Sequence, residues 1–319
     1  MAVVTATQSF IDTAAAALRS GKLVVFPTET VYGLGALAAD DSAVARLYHA
    51  KQRPHINPLI SHFADIKSAL SAGRITKIAS RLAEEFWPGP LTLIIDRHAN
   101  SPTCLLATAG MDNLAIRVPD HEVARALIKS TGGPVVAPSA NMSGKLSPSC
   151  ASHISEQLAA SCAIILDSGP CSKGLESTVI DCRNNDAVIL RPGPITPALI
   201  HARTGYEIGF FEGAPTDSQP LLSPGMMTSH YAPEATVRLN AASVRDGEVF
   251  IGFGTPPEGI VPDLSLSQTG DLTEACARLF SVLHEADSHA RLIAIAPIPM
   301  ADLGIAINDR LMRAAAERP

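Results

Sequence analysis

Short apolar runs bounded by Gly, Pro or Asp alternate with amphipathic stretches over roughly the first two hundred residues, and this alternation constrains the fold more than any other feature. Residues 23–26, 91–96, 114–118, 134–137, 163–166, 178–181 and 187–190 have the short, β-branched or apolar character of strands. Helical spacing occurs at 9–18, 42–50, 76–86 and 121–129, with Ser42, Thr76 and Asp120 as N-caps of the last three. Such a pattern predicts an α/β domain around one sizeable sheet. Between 205 and 233 the pattern lapses, and Gly209, Gly213, Pro215, Pro220, Pro224 and Gly225 punctuate a stretch that reads as a linker. A smaller α/β pattern follows, with strands at 235–239, 249–253 and 292–295 and helices at 272–286 and 307–315. The expected division is a first domain at 1–205, a linker or lid at 206–234 and a small domain at 235–319, and 319 residues suit two domains.

Composition narrows the class of molecule. Hydrophobic residues make up 46% and charged residues 18%, which is globular. No apolar run approaches the roughly 18 residues that span a bilayer, and residues 1–10 lack a basic stretch leading into an apolar core, so a cytoplasmic protein is expected. The six cysteines form no C-x-x-C pair, and no histidine pair has zinc-finger spacing; reduced cysteines and no structural metal site are expected. The net charge of −6 is unevenly distributed: residues 1–205 carry 18 basic against 16 acidic side chains, and residues 206–319 carry 7 against 15. The acidic C-terminal third is a poor platform for a nucleic-acid backbone, which needs clustered cations. The slight excess in the first part suits a local anionic ligand.

The chain has no G-x-x-x-x-G-K-[ST] loop. Gly33-Leu34-Gly35-Ala36-Leu37-Ala38 fits a loose G-x-G-x-x-A, but residues 27–32 separate it from the preceding strand and no acid falls between Asp41 and Asp65. A tight turn is expected there rather than a dinucleotide site. What remains is a set of polar segments at strand ends. In Pro27-Thr28-Glu29-Thr30 the hydroxyls either orient a small polar ligand or cap a turn. Lys51 and Arg53 lie beside Pro54, as donors for phosphate oxygens or as a charge cluster ending a helix. Arg117 is a cation inside an apolar strand and needs an anion if buried, either a ligand carboxylate or an internal Asp or Glu. Residues 138–147, rich in small polar groups around Gly144 and Lys145, have the character of an anion-binding loop. Lys51, Arg53, Lys145 and Arg191 all sit on loops at element ends, an arrangement that suits a polyphosphate.

Taken in order, PTETVYGLG, KQRP with NPL, FWPGPLTL, RVPDH, PSANMSGKLSPS, DSGP, ESTVID and RPGPIT resemble the successive signatures of the YrdC-type threonylcarbamoyl-AMP synthase family. SPGM at 223–226 and HYAP at 230–233 resemble the linker of its long form, which has an extra C-terminal domain. The resemblance implies a YrdC-like twisted sheet domain with an open cleft, followed by a smaller Rossmann-like α/β domain. It implies an enzyme that makes threonylcarbamoyl-AMP and pyrophosphate from L-threonine, bicarbonate and ATP, for N6-threonylcarbamoyl modification of tRNA adenosine completed by other proteins. By the same resemblance Lys51 and Arg53 serve catalysis. Thr30, His62, Arg117, Ala137 and Ser177 surround threonine; Arg53, Asn57, Asn113, Ser139, Asn141, Ser147, Arg191 and Tyr231 hold ATP. Mg²⁺ would arrive on the triphosphate, with no metal site of the protein's own. A double-stranded RNA-binding module without catalysis is the alternative, and the balance of +2 over residues 1–205 is small for neutralising a nucleic-acid backbone. The carbamoyl-transfer modules of hydrogenase maturation proteins are a second, but their Cys-rich zinc segments have no counterpart here.

Overall fold

The computed structural model describes residues 2–213 and 230–316, so the SPGM signature lies outside the described residues. Among these residues eleven strands form the large sheet. They are β1 (Ala2–Thr5), β2 (Leu23–Phe26), β3 (Gly33–Leu37), β4 (Ile60–His62), β5 (Gly73–Arg74) and β6 (Leu91–Arg97). The series continues with β7 (Asn113–Arg117), β8 (Val135–Val136), β9 (Cys162–Asp167), β10 (Thr178–Asp181) and β11 (Val188–Arg191). Their order is β1-β9-β2-β3-β8-β4-β7-β6-β10-β11, with β5 beside β6. The sheet is mixed: β2 runs parallel to β9 but antiparallel to β3, and β6 parallel to β10 but antiparallel to β7.

Helices α1 (Gln8–Arg19), α2 (Asp41–Lys51), α3 (Ile66–Leu70), α4 (Lys77–Phe86), α5 (Glu122–Thr131), α6 (Glu156–Ala160) and α7 (Pro197–Thr204) accompany the sheet. Side chains alternate across a strand, so β2 sends Leu23 and Val25 towards α2 and Val24 and Phe26 towards α1 and α5. With both faces covered, β2 is apolar throughout rather than alternating. Thr76 caps α4 through Ala79 N at 3.2 Å, and Ile78, Leu82 and Phe86 pack on β6 and β7 before Pro88 stops the helix. The cap of α2 is Asp40, two residues before the expected Ser42, and the N-cap position of α5 is His121 rather than the expected Asp120, with no side-chain cap bond.

Gly33-Leu34-Gly35 is strand β3, not the tight turn its glycines suggested. A Cβ at Gly35 would stand 2.9 Å from the Phe26 ring and 3.0 Å from Val135, so glycine is there for close packing.

The second domain contains β12 (Thr236–Arg238), β13 (Glu248–Phe253), β14 (Leu264–Ser267), α8 (Leu272–His289), β15 (Leu292–Ile295) and α9 (Leu303–Ala315). Its sheet, in the order β12-β15-β13-β14, is parallel at every pairing, a Rossmann-like arrangement. The core built on Phe280, Leu283, Ile293 and Ile307 also takes in Val31, Leu146 and Leu175 of the first domain. The two domains therefore share one apolar cluster. Around it, Ser149 Oγ meets Ser281 Oγ at 2.8 Å, and His153 stacks on His284 with ring centres 4.0 Å apart.

After α7 the chain first stays on the large sheet: Ile189 N donates to Gly209 O and Phe211 N to Ile189 O, each at 2.9 Å, with Ile208 buried. No helix among the described residues is long and apolar enough to cross a membrane.

Candidate active site

A cavity of about 50 Å³ opens where the β2–β3 loop, β4, the ends of β7, β8 and β11 and residues 176–177 converge. Thr30, His62, Arg117, Ala137, Ser139 and Ser177 form much of its wall, joined by Arg53 and Arg191. His230 and Tyr231 complete the wall. Their segment is held by Ala232 N donating to Gly144 O at 2.8 Å and by the Asp287 carboxylate, which accepts from Glu234 N at 3.0 Å and Ala235 N at 2.8 Å. Tyr231 is buried in the left-handed region at φ 62°, 5.5 Å from the Phe280 ring. A non-glycine residue there is held by its surroundings, a feature common at ligand clamps.

Each polar wall residue is positioned by specific bonds. Thr28 Oγ1 donates to Val31 O at 2.7 Å, so that hydroxyl caps the turn, while Thr30 stands in the wall. His62 Nδ1 donates to Ile60 O at 3.1 Å; burial, reinforced by Arg117, pulls its pKa down to about 3, and the ring is neutral at physiological pH. Arg117 Nη2 lies 2.8 Å from Glu29 Oε1, with both side chains 4% exposed. The open question of its partner is thus answered by an internal glutamate, yet the guanidinium still borders the cavity. Arg191 Nε donates to Ser177 O at 3.1 Å, and its Nη2 reaches Ser177 Oγ at 3.1 Å.

Cations outnumber carboxylates around this space. Arg53 donates to Asn57 O at 3.2 Å, Asn57 Oδ1 at 2.6 Å and Pro58 O at 3.0 Å, all neutral acceptors. Lys51 donates to the carbonyls of Ser139, at 2.6 Å, and Asn141. Among the described residues neither has a carboxylate partner. Burial lowers both pKa values, well below the usual lysine range for Lys51 and to about 10 for Arg53. Buried positive charge without a paired carboxylate calls for an anion.

A family model described as "Telomere recombination" (Sua5/YciO/YrdC) matches residues 16–193, and one described as "Threonylcarbamoyl-AMP synthase, C-terminal domain" matches 195–316. The chain belongs to the Sua5/YciO/YrdC family. A relative from Bacillus subtilis named threonylcarbamoyl-AMP synthase is 40% identical over 97% of this chain and 93% of its own length. The solved structure of Pyrococcus abyssi Sua5 complexed with L-threonine superposes with a TM-score of 0.86 at 36% identity, covering 97% of this chain and 95% of that one. A putative threonylcarbamoyl-AMP synthase from Mycobacterium tuberculosis is 36% identical over 62% of this chain and 90% of its own length.

Against this Sua5/YciO/YrdC background, the residues expected at the site fall into three groups. Thr30, Arg53, His62, Arg117, Ala137, Ser139, Ser177, Arg191 and Tyr231 come together around the cavity. Lys51, Asn57, Asn141 and Ser147 stand behind its wall: Lys51 holds the 139–141 backbone, Asn57 holds Arg53, Asn141 Nδ2 donates to Lys145 O at 2.6 Å, and Ser147 Oγ donates to Glu176 Oε1 at 2.6 Å. Asn113 lies at the opposite end of β7 from Arg117, roughly 13 Å along a five-residue strand, and outside the cavity wall. Lys145 is turned outward, paired with Glu234 on the surface. Glu176, Val31, Ile60, Pro138 and His230 border the cavity without having been singled out; ESTVID and HYAP contained two of them.

Proposed function

We propose that this chain is a threonylcarbamoyl-AMP synthase, an enzyme that joins L-threonine, bicarbonate and ATP into threonylcarbamoyl-AMP with release of pyrophosphate. The observation that carries this reading is the buried guanidinium of Arg53, which like the neighbouring Lys51 amine has only neutral acceptors, beside a cavity walled by small polar groups. In the reaction the threonine amine forms a carbamate with the carbon of bicarbonate, losing water. A carbamate oxygen then bonds to the α-phosphorus of ATP as the bond to the β-phosphate bridging oxygen breaks, and that oxygen leaves on pyrophosphate. This chemistry needs charge neutralisation and in-line placement more than a nucleophilic side chain.

Arg117 keeps donors beyond those facing Glu29 and Gly89, enough to take the threonine carboxylate. Neutral His62, Thr30 and Ser177 orient the rest of the amino acid. Arg53 and Arg191 face the phosphates, Ser139 and the loop held by Lys51 and Asn141 flank them, and Asn57 and Ser147 support that arrangement. Asn113 belongs to the ATP site only through the wider nucleotide surface. Mg²⁺ enters on ATP as part of the substrate, because the nearby carboxylates Glu29 and Glu176 are engaged by Arg117 and by Arg310 and Ser147. Tyr231 covers the reacting groups and shields the hydrolysable carbamate and mixed anhydride. About 50 Å³ is too little for a nucleotide beside it, so the segment swings aside to admit ATP and closes again.

In this reading the catalytic domain runs past residue 205 to include the 208–211 stretch paired along β11, the lid ends at 234, and the small domain starts at 235. The product feeds the class of enzymes that transfer the threonylcarbamoyl group to tRNA adenosine. The cations line an internal cavity rather than a surface stripe, which does not suit a double-stranded RNA backbone. Purified protein is expected to release pyrophosphate only with threonine, bicarbonate and ATP all present; equal release without threonine overturns the reading.

A further inference from the structure

Glu176 is out of keeping with its surroundings. It borders a cavity whose other charged neighbours are cations, and an unneutralised carboxylate there would repel both a triphosphate and a threonine carboxylate. Its two oxygens are engaged differently. Oε1 accepts from Ser147 at 2.6 Å, within the first domain, and Oε2 receives Arg310 Nε at 3.1 Å, from helix α9 of the second.

Arg310 is among the largest fully buried side chains of the molecule. The rest of the α9 buried face is Gly304, Ala306, Ile307, Leu311 and Ala314. A core with this composition would be served as well or better by an apolar residue of similar volume, since burying an ion pair commonly costs more than it returns. The guanidinium is nonetheless held firmly: Nη1 donates to Asp309 Oδ2 at 2.6 Å, and Asp309 Oδ1 in turn accepts from Arg313 Nε at 3.1 Å. Its central carbon lies 5.5 Å from the centre of the Tyr231 ring. Nη2 is buried and has no hydrogen-bond partner among the described residues.

We infer that Arg310 is a positioning residue that the second domain places behind the wall of the catalytic cavity, neutralising Glu176 and supporting Tyr231 so that the cavity accepts an anionic nucleotide. The inference rests on the assignment of ATP to this cavity. It gives the second domain a definite duty: its last helix completes the electrostatics of a site formed otherwise by the first domain and the linker.

The test uses the full chain in three variants: Arg310→Met, Glu176→Gln, and the double variant. Pyrophosphate release is measured against ATP concentration, and folding is followed by thermal unfolding. Arg310→Met leaves Glu176 charged and unpaired, and is expected to raise KM for ATP about tenfold or more, equivalent to about 1.4 kcal/mol of binding, with a smaller change in kcat. Glu176→Gln in the same chain removes the stranded charge and should return KM to within about threefold of the Glu176→Gln single variant. A purely structural Arg310 predicts the reverse, a smaller active fraction that lowers apparent kcat at unchanged KM, with no rescue. That result overturns the inference. If only the double variant folds, a KM matching Glu176→Gln supports it; if neither folds, Arg310 is a structural ion pair and the inference fails. Wild-type enzyme inactive with all three substrates would instead overturn the assignment of the cavity to ATP.

Discussion

Arg117 and Lys51 are both buried basic side chains beside the cavity, but they are satisfied by different means, and mutations at them must be read differently. Arg117→Ala alone would strand Glu29, and breaking a buried pair typically costs about 3–5 kcal/mol, so lost threonine binding would be confounded with lost folding. The informative comparison is Glu29→Gln with and without Arg117→Ala. Removal of the guanidinium on that background is expected to weaken threonine binding by ~1.5–3 kcal/mol, the range for hydrogen bonds to a charged group, with ATP affinity little changed. Calorimetric titration measures both, and unchanged threonine affinity would leave Arg117 as Glu29's partner alone. The sequence revealed that Arg117 needed an anion, because a cation in an apolar strand is anomalous wherever the strand lies. It could not show that Glu29 answers it, since that contact depends on how the β2–β3 loop folds back. Lys51 was less legible still: its acceptors are mainly backbone carbonyls of Ser139 and Asn141, and a carbonyl carries no residue identity. Asn57 Oδ1 accepts from Arg53 and Ser147 Oγ donates to Glu176, side-chain pairings that likewise depend on the fold and left no mark in the sequence.

Elements with a strong period were visible and those shaped by close approach were not. Helix α4 and strand β2 follow from their own residues, whereas β3 has two glycines in five positions, with Phe26 and Ala137 packed at Gly33 and Phe26 and Val135 at Gly35. Strand β14, Leu-Ser-Leu-Ser, is too short for its alternation to stand out beside a loop, and β1 becomes a strand by pairing with β9 far along the chain. Gly174 is the same kind of constraint at the domain junction. It has φ 66°, and a Cβ there would lie 2.4 Å from Ala277 O and 2.5 Å from Cys276 O of α8. Gly174→Ala is therefore expected to lose about 1–3 kcal/mol, combining left-handed strain with a backbone clash, and to raise KM for ATP by displacing Glu176 two residues on. Gly169→Ala is the control, because φ is 77° but nothing lies within 4 Å of the added carbon. Denaturant unfolding should show the smaller loss at 169; equal losses would mean that α8 yields to the methyl group.

At the scale of the whole molecule the lapse of pattern after 205 made a two-domain reading available, but the contact between the domains left no local trace. Val31, Leu146 and Leu175 look like ordinary core residues of the first domain and are buried in the cluster centred on the second. Fully burying a side chain of this kind contributes roughly 1.5–3 kcal/mol, so removing the second domain exposes a substantial apolar patch beside the catalytic loops. It also removes Tyr231 from the cavity wall and Arg310 from Glu176. Where the chain is cut matters as well. A chain ending at Gly205 loses Ile208 and the bonds that Gly209 and Phe211 make along β11, whereas one ending at Gly213 keeps them. The 1–213 chain is expected to be folded by circular dichroism and to melt below the intact protein, with the 1–205 chain melting lower again. Both should release pyrophosphate poorly, with ATP KM raised about tenfold or more because the cover and the neutralising arginine are both gone, and any product should hydrolyse faster. Rapid quench with product analysis separates slow synthesis from fast loss. Synthesis by the 1–213 chain at the intact rate, with product as long-lived, would show that the second domain and its linker contribute neither closure nor charge to the reaction.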